Sequence, residues 1–288
     1  MKTNFLLKIS ALFMVFLAVS CSKDSAVSDE NTALTSNDVA VNAKIDATIN
    51  DIADVVEDQF SMQNLGGKTT ATPPASILPA CAVVTVSMTA TSWTRTIDFG
   101  TVGCAMPNGS ILKGKIIVSG SLVMTSPQIV LSYTFENFYH NNVLVQGSKT
   151  VTRTFQSTVY HTPFHPVNAM AINMTITFPD GAVYTRVGNR TRECIEGYDT
   201  PQAWNDNIYV VTGNWTTTFP NASVHSNVIS ATNPIRIRMN CMYGIVRGTV
   251  TITKPNHTAV LDYGEGTCDN IATLSIDGGA ATPFTFGN

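Results

Sequence analysis

The chain has 288 residues, with 17 Lys and Arg against 20 Asp and Glu and a formal charge of −3. A balance this even excludes recognition of nucleic acid through a basic surface, and the length is ample for one large domain with a sizeable core. The charge is unevenly placed: residues 22–80 hold nine acids and three bases, whereas residues 81–288 hold eleven and twelve.

The start of the chain predicts export. Lys2 and Lys8 accompany the apolar run "FLLKISALFMVFLAV", and "LAVSC" brings small residues directly before Cys21. Signal peptidases cut after small residues, and a cysteine in the next position is the acylation point of a lipoprotein. Residues 1–20 are therefore expected to be a signal peptide and Cys21 to be lipidated. Buried acyl methylenes contribute about 0.8 kcal/mol each, so two or three chains hold a protein on a bilayer. The bilayer of the outer membrane is the expected partner.

Residues 21–36 are small and polar and read as a lipidated flexible stalk. The next segment, 37–65, predicts an amphipathic helix. Val41, Ile45, Ile49, Ile52, Val56 and Phe60 recur at spacings of three and four. Asn37 or Asp38 suits its start, and Gly66-Gly67 lies beyond its end. Asp46, Asp51, Asp54, Glu57 and Asp58 fall mostly on its other faces. Residues 66–80, containing "GGKTTATPPAS", read as a linker.

From 81 to 288 the pattern changes to period two. "RTID", "NMTITF" and "TVTITK" alternate polar with apolar residues, and turn signals recur at "HNN" (140–142), "PDG" (179–181), "KPNH" (254–257) and "DGG" (277–279). Glycines inside strand-like runs, such as Gly114 and Gly248, predict bulges or bends. The expected fold is mostly β: an antiparallel sandwich or partly open barrel of long curved strands, with one N-terminal helix before it. Arg186, Arg190, Arg192, Arg236 and Arg238 stand on alternating positions, which predicts solvated strand faces.

A repeated phrase organises the cysteines. "DFGTVGC" ends at Cys104 and "DYGEGTC" at Cys268; each follows an upstream cysteine, Cys81 or Cys241, and two strand-like segments. If each pair of segments is a hairpin, the two cysteines of a copy meet at one end. Cys81–Cys104 and Cys241–Cys268 are thus the expected disulfides of an oxidising compartment, leaving Cys194 as a free thiol. Asp98 and Asp262 suit side-chain bonds to the turn backbone, and Gly100 and Gly264 suit positive φ. No metal site is expected; Asp262, Glu265 and Asp269 in the second copy are weak candidates for a hard cation, in a spacing unlike any EF-hand loop.

No residue is singled out as catalytic, and no cofactor is expected, because no nucleophile-elbow, zincin or phosphate-loop pattern is present. His161 and His165 in "HTPFH" read as a solvated loop, since Pro163 and Pro166 forbid a helix. Glu136, Glu193, Glu196 and Asp206 are the acids through which a two-carboxylate hydrolase of envelope or extracellular polymer could work. The tryptophans and the aromatics of "YTFENFYH" read chiefly as core.

The order of "TIDFGTVGC", "GKIIVSG", "FENFYHNNVLVQGSKTVT", "ITFPDGAVYTRVGNRTRE", "DNIYVVTGNWTTT", "RMNCMYGIVRGTVTIT" and "LDYGEGTCDN" resembles a family of uncharacterised predicted lipoproteins of the Bacteroidota. The resemblance implies an envelope lipoprotein with a β-rich body and supplies no catalytic residue. "CSKD" is similar to the surface-export signals of these bacteria, which favours the cell surface over the periplasmic face. The expected function is a binding or structural module with a glycan, lipid or protein ligand, and the alternative is the hydrolase.

Overall fold

The computed structural model describes residues 33–65, 76–122, 128–200 and 203–287. The signal peptide, Cys21, the stalk up to residue 32 and Gly66-Gly67 lie outside them.

The helix, α1 (Ser36–Leu65), starts one residue earlier than its apolar periodicity predicts. The cap is Thr35, not Asn37 or Asp38. Thr35 Oγ1 accepts the Asp38 backbone N–H at 3.2 Å, and Asp38 Oδ2 accepts the Thr35 N–H at 2.9 Å. This reciprocal capping box satisfies donors that the first helical turn leaves open. Leu34 and Val39, on either side of the box, belong to one buried cluster and act as its hydrophobic staple.

Fifteen strands follow among the described residues. They are β1 (Val83–Met88), β2 (Ser92–Asp98), β3 (Cys104–Ala105), β4 (Ile111–Ser121), β5 (Gln128–His140), β6 (Val143–Gln156), β7 (His165–Thr177) and β8 (Val183–Glu196). After a single 3-10 turn at Trp204–Asp206 come β9 (Ile208–Thr218), β10 (Val224–Ile229), β11 (Ile235–Arg238), β12 (Ile245–Lys254), β13 (His257–Glu265), β14 (Ile271–Ile276) and β15 (Thr282–Thr285). All belong to one antiparallel sheet, in which consecutive strands pair except β2 with β3 and β10 with β11. The short β3 pairs only with β4, and β11 pairs with both β9 and β12 as β10 does. The path begins at β1 and ends at β15, which do not pair with each other, so the sheet is open at a seam.

Turn chemistry sets this meander. Asn141 and Asn142 both adopt positive φ in the two-residue turn between β5 and β6, as the right-handed twist of the strands requires, and Asn256, Asp277 and Gly278 adopt it in the connections after β12 and β14. Bulges bend the strands at Gly114 and Gly248, where the register shifts. A Cβ on Gly114 would lie 2.0 Å from Asn137 O, and one on Gly248 would lie 2.1 Å from Pro234 O, so only glycine allows these close crossings.

The curved sheet wraps the helix. The predicted stripe is inside: Ile45, Ile49, Ile52, Val56 and Phe60 are buried, while Val41 is partly buried against the same cluster. Each fully buried aliphatic or aromatic side chain contributes about 1.5–3 kcal/mol relative to exposure. The linker end is held as well, because Asp58 accepts from Ser76 Oγ at 2.7 Å and from the Ile77 N–H at 3.2 Å.

The arginines of β8 overturn the expectation of a solvated face. Arg186, Arg190 and Arg192 are no more than 4% exposed and point inward. Arg186 and Arg190 both bond Asp46, and Arg192 bonds Asp54 at 2.5 Å. Arg153 of β6 bonds Glu57, which also accepts from Asn168 of β7 at 3.1 Å. Aromatic faces support the same cations: the Arg190 guanidinium lies 3.7 Å from the Trp215 ring centroid and that of Arg192 lies 3.7 Å from Tyr209. The alternation itself was legible, but the polar face is the inner one, because the helix presents carboxylates there. Removing one partner of such a buried pair costs about 3–5 kcal/mol. Arg236 and Arg238 differ from these, being half-exposed beside buried Ile235 and Ile237.

Both expected disulfides are present, with Cα atoms 5.9 Å apart for Cys81–Cys104 and 5.3 Å for Cys241–Cys268. The hairpins that bring them together are β1–β2, where Val83 pairs with Asp98, and β12–β13, where Arg247 pairs with Glu265. Cys194 is free and buried; its Sγ donates to Glu196 O at 3.2 Å, and burial pushes its thiol up to about 12. It is an inert core thiol.

Candidate ligand-binding cleft

The seam holds a cleft of about 340 Å³. Its floor is one stripe of α1 (Ala43, Ala47, Asn50, Asp51 and Asp54), and the two alanines make the space by being small. One lip is the turn after Cys104, with Met106, Pro107 and Asn108. The other is the segment around Cys241, with Met239, Met242 and Tyr243. Each disulfide therefore braces one lip. The repeated phrase stands on both sides of the cleft and builds its frame.

Within each copy the turn forms as its residues predict. Asp98 Oδ1 accepts the Gly100 N–H at 2.8 Å and Asp262 Oδ1 accepts the Gly264 N–H at 2.9 Å, with φ of 70° and 79° at the two glycines. The aromatic between them turns inward in both. Phe99 packs in the closed core against Phe138, at 6.1 Å between ring centroids. Tyr263 lines the cleft, edge-on to Phe286 at 4.8 Å, and Tyr243 meets the other side of that wall at 6.3 Å from Phe286. Tyr263 is 5% exposed, and its hydroxyl makes no hydrogen bond among the described residues. Burial pushes this phenol above the usual tyrosine range. Trp204 completes the wall, and its indole N–H is buried without a partner among the described residues.

The floor carboxylates are held from behind. Asp51 Oδ2 accepts from Ser110 Oγ at 2.6 Å and meets His140 Nε2 at 2.7 Å, while His140 Nδ1 meets Thr48 Oγ1 at 3.2 Å. Asp54 Oδ1 takes Arg192, and Asn50 Oδ1 takes Arg190 at 3.4 Å. Burial, opposed by Arg192 and reinforced by Asp51 and Glu57 one turn to either side, raises Asp54 to about 6. The second oxygens, Asp51 Oδ1 and Asp54 Oδ2, make no hydrogen bond among the described residues. This arrangement can orient a polar ligand between aromatic walls. The hydroxyl that bonds Asp51 belongs to Ser110, a fully buried residue, and serves to hold that carboxylate in place.

None of the acids considered from sequence reaches this cleft. Glu136 pairs with Lys115 on the surface at 2.7 Å. Glu193 is buried under the loop between β6 and β7, where it accepts from Thr158 Oγ1 at 2.6 Å and meets His165 Nε2 at 3.1 Å. Glu196 ends β8, and Asp206 accepts from Thr200 Oγ1 at 2.6 Å. The histidine reading is corrected too. His165 is fully buried and opens β7, and only His161 is partly exposed, its Nε2 3.2 Å from Tyr198 OH. In the second copy, Asp262 and Asp269 cap the backbone of their own turns and Glu265 faces Arg247 at 3.5 Å. Among the described residues no three His, Cys, Asp or Glu side chains converge on a common point.

Sequence reasoning missed Asp51, Asp54, Tyr243 and Trp204 as site residues. The alanines at 43 and 47, one turn apart on a helix otherwise rich in isoleucine and valine, were the signal available. "YTFENFYH" contributes core, with Tyr133 and Phe138 buried and none of its aromatics at the cleft. No helix among the described residues is long and apolar enough to cross a membrane. Comparison of the chain with protein-family models, with characterised proteins and with solved structures finds no match to any of them.

Proposed function

We propose that the protein is a lipid-anchored module of the outer membrane that binds a small ligand in the cleft at the seam of its sheet. The observation that carries this reading is the cleft itself: two disulfide-braced lips over a floor whose carboxylates keep one uncommitted oxygen each. Its volume lies at the lower end of the ~300–1,000 Å³ found for small-molecule sites, and its mixture of aromatic wall and few polar groups is typical of them. The anchor reading rests on the segment up to Cys21, and the resemblance to predicted lipoproteins of the Bacteroidota agrees with it. The alternative hydrolase would use Asp54, raised to about 6, as its acid. Asp51 and Asp54 each commit one oxygen to Ser110, His140 or Arg192, which supports positioning of a ligand.

Three measurements test the proposal. Cys21→Ser should release the protein from the membrane fraction into the soluble envelope fraction, and proteinase treatment of intact cells should degrade the wild type. Retention of the Cys21→Ser protein in the membrane would end the anchor reading. For the cleft, hydrogen exchange with a small-molecule extract of the envelope should show protection at residues 106–112 and 237–245. Protection confined to other segments would place the ligand elsewhere.

A further inference from the structure

The chemistry of the cleft narrows its ligand, given the reading of the cleft as the binding seat. Three properties act together. The wall offers ring surfaces, Tyr243 and Phe286 with Tyr263 behind them, onto which an apolar C–H face can lie against the electron-rich ring face. The floor offers acceptors, Asp51 Oδ1 and Asp54 Oδ2, and the Asn50 amide, whose oxygen alone is engaged. The Trp204 N–H, buried without a partner among the described residues, is a further polar group of the wall, and the Tyr263 hydroxyl stands beside it.

Charge decides between ligand classes. Asp54 is opposed by Arg192 directly behind it, and Asp46, about two turns earlier on the floor helix, by Arg186 and Arg190. Asp51 is held by a serine and a histidine. With arginines opposing Asp54 and Asp46, Asp51 is the one floor carboxylate held without an arginine, so the pull of the floor on a cation is that of a single carboxylate. An acyl chain would fit the walls, but it would seal two carboxylate oxygens and an amide away from water with nothing to bond, which strongly disfavours it. A neutral ring that carries hydroxyl groups on its edge and C–H groups on its face satisfies both surfaces.

We infer that the cleft binds a neutral saccharide, one or a few sugar units in size, with its hydroxyl groups on Asp51 and Asp54 and one ring face on Tyr243 and Phe286. The probes are galactose, mannose, N-acetylglucosamine and maltose. They are titrated by calorimetry into the full chain held in a polyoxyethylene detergent, with palmitate and hexylamine as counter-probes. The expected result is saturable binding of at least one sugar that changes less than about twofold with added salt, since no ion pair forms. Ala47→Leu, which fills the floor, and Tyr243→Ala, at the rim, should each weaken it about tenfold or more with the thermal midpoint preserved. If palmitate or hexylamine binds instead and Ala47→Leu blocks it, the saccharide inference is wrong and the cleft remains the seat. If no probe saturates, or if a sugar binds both variants as well as the wild type, the inference and the cleft reading fall together.

Discussion

The two copies of the repeated phrase have the same turn and different fates. In each, an aspartate side chain closes onto a left-handed glycine and a cysteine four residues past that glycine is bridged to the start of the hairpin. Yet Phe99 is sealed into the core beneath β5, whereas Tyr263 stands in the wall of the cleft. The first copy follows β2, and its aromatic meets Phe138 of β5. The second ends β13, and its aromatic lines the cleft that the helix floors with Ala43 and Ala47. A local motif thus specifies its own geometry, and its neighbours across the sheet decide whether its aromatic becomes core or wall.

Truncation separates the copies most sharply. Phe99→Ala should destabilise by about 3–5 kcal/mol, as deletion of a large core side chain does. Tyr263→Phe should change stability by less than about 0.5 kcal/mol, because it removes a hydroxyl with no hydrogen bond. Urea unfolding of the two variants reads the contrast, and equal losses would show that both aromatics serve the core alone.

The disulfides should not distinguish the copies. They close 23 and 27 residues, for which chain entropy gives about 3.5 kcal/mol each. Paired Cys→Ser variants of the two bridges should therefore lose similar stability. A loss confined to one bridge would show that only that lip is held under tension by the fold.

The floor between the copies carries a pH dependence. Burial places Asp54 near 6, above its unfolded value, so the folded state holds this proton where the unfolded chain has released it. The stability contributed by the protonated form is complete below pH 4 and is lost as pH rises through 6. Relative to Asp54→Asn, the wild type should lose on the order of 2 kcal/mol over that window. Denaturant unfolding at a series of pH values measures the difference, and a gain with rising pH would reverse the assignment.

The smallest effects belong to the turns themselves. Asp98→Ala and Asp262→Ala each remove one side-chain bond to a turn N–H and should cost about 1 kcal/mol apiece. Matching losses in thermal unfolding would mark the phrase as an independent local unit. A several-fold larger loss at Asp262 would show that its turn also holds the cleft open.

Much of this architecture was readable from residue order. Period-two alternation and the Asn, Asp and Gly signals located the hairpins, the three-and-four spacing located the helix, and the repeat located both bridges, because each of these is governed by contacts within a hairpin or a helical turn. The inward arginines were not readable. Alternation says which residues share a face, and only the partner opposite says which face is inside. Arg186, Arg190 and Arg192 looked like solvent residues until Asp46 and Asp54 were seen packed on them. The same gap hid the cleft, since its floor, its two lips and Trp204 come from segments far apart in the chain.

By itself, then, the sequence determined the helix and its stripe, the antiparallel strands with their turns, and the pairing of four cysteines, all of which depend on short-range order. Only the tertiary structure decided that the helix would be wrapped by the sheet, that its acids would meet arginines, and that the sheet would stay open over Ala43 and Ala47. Those outcomes depend on which distant surfaces come within a few ångströms of one another, and no local pattern encodes that distance.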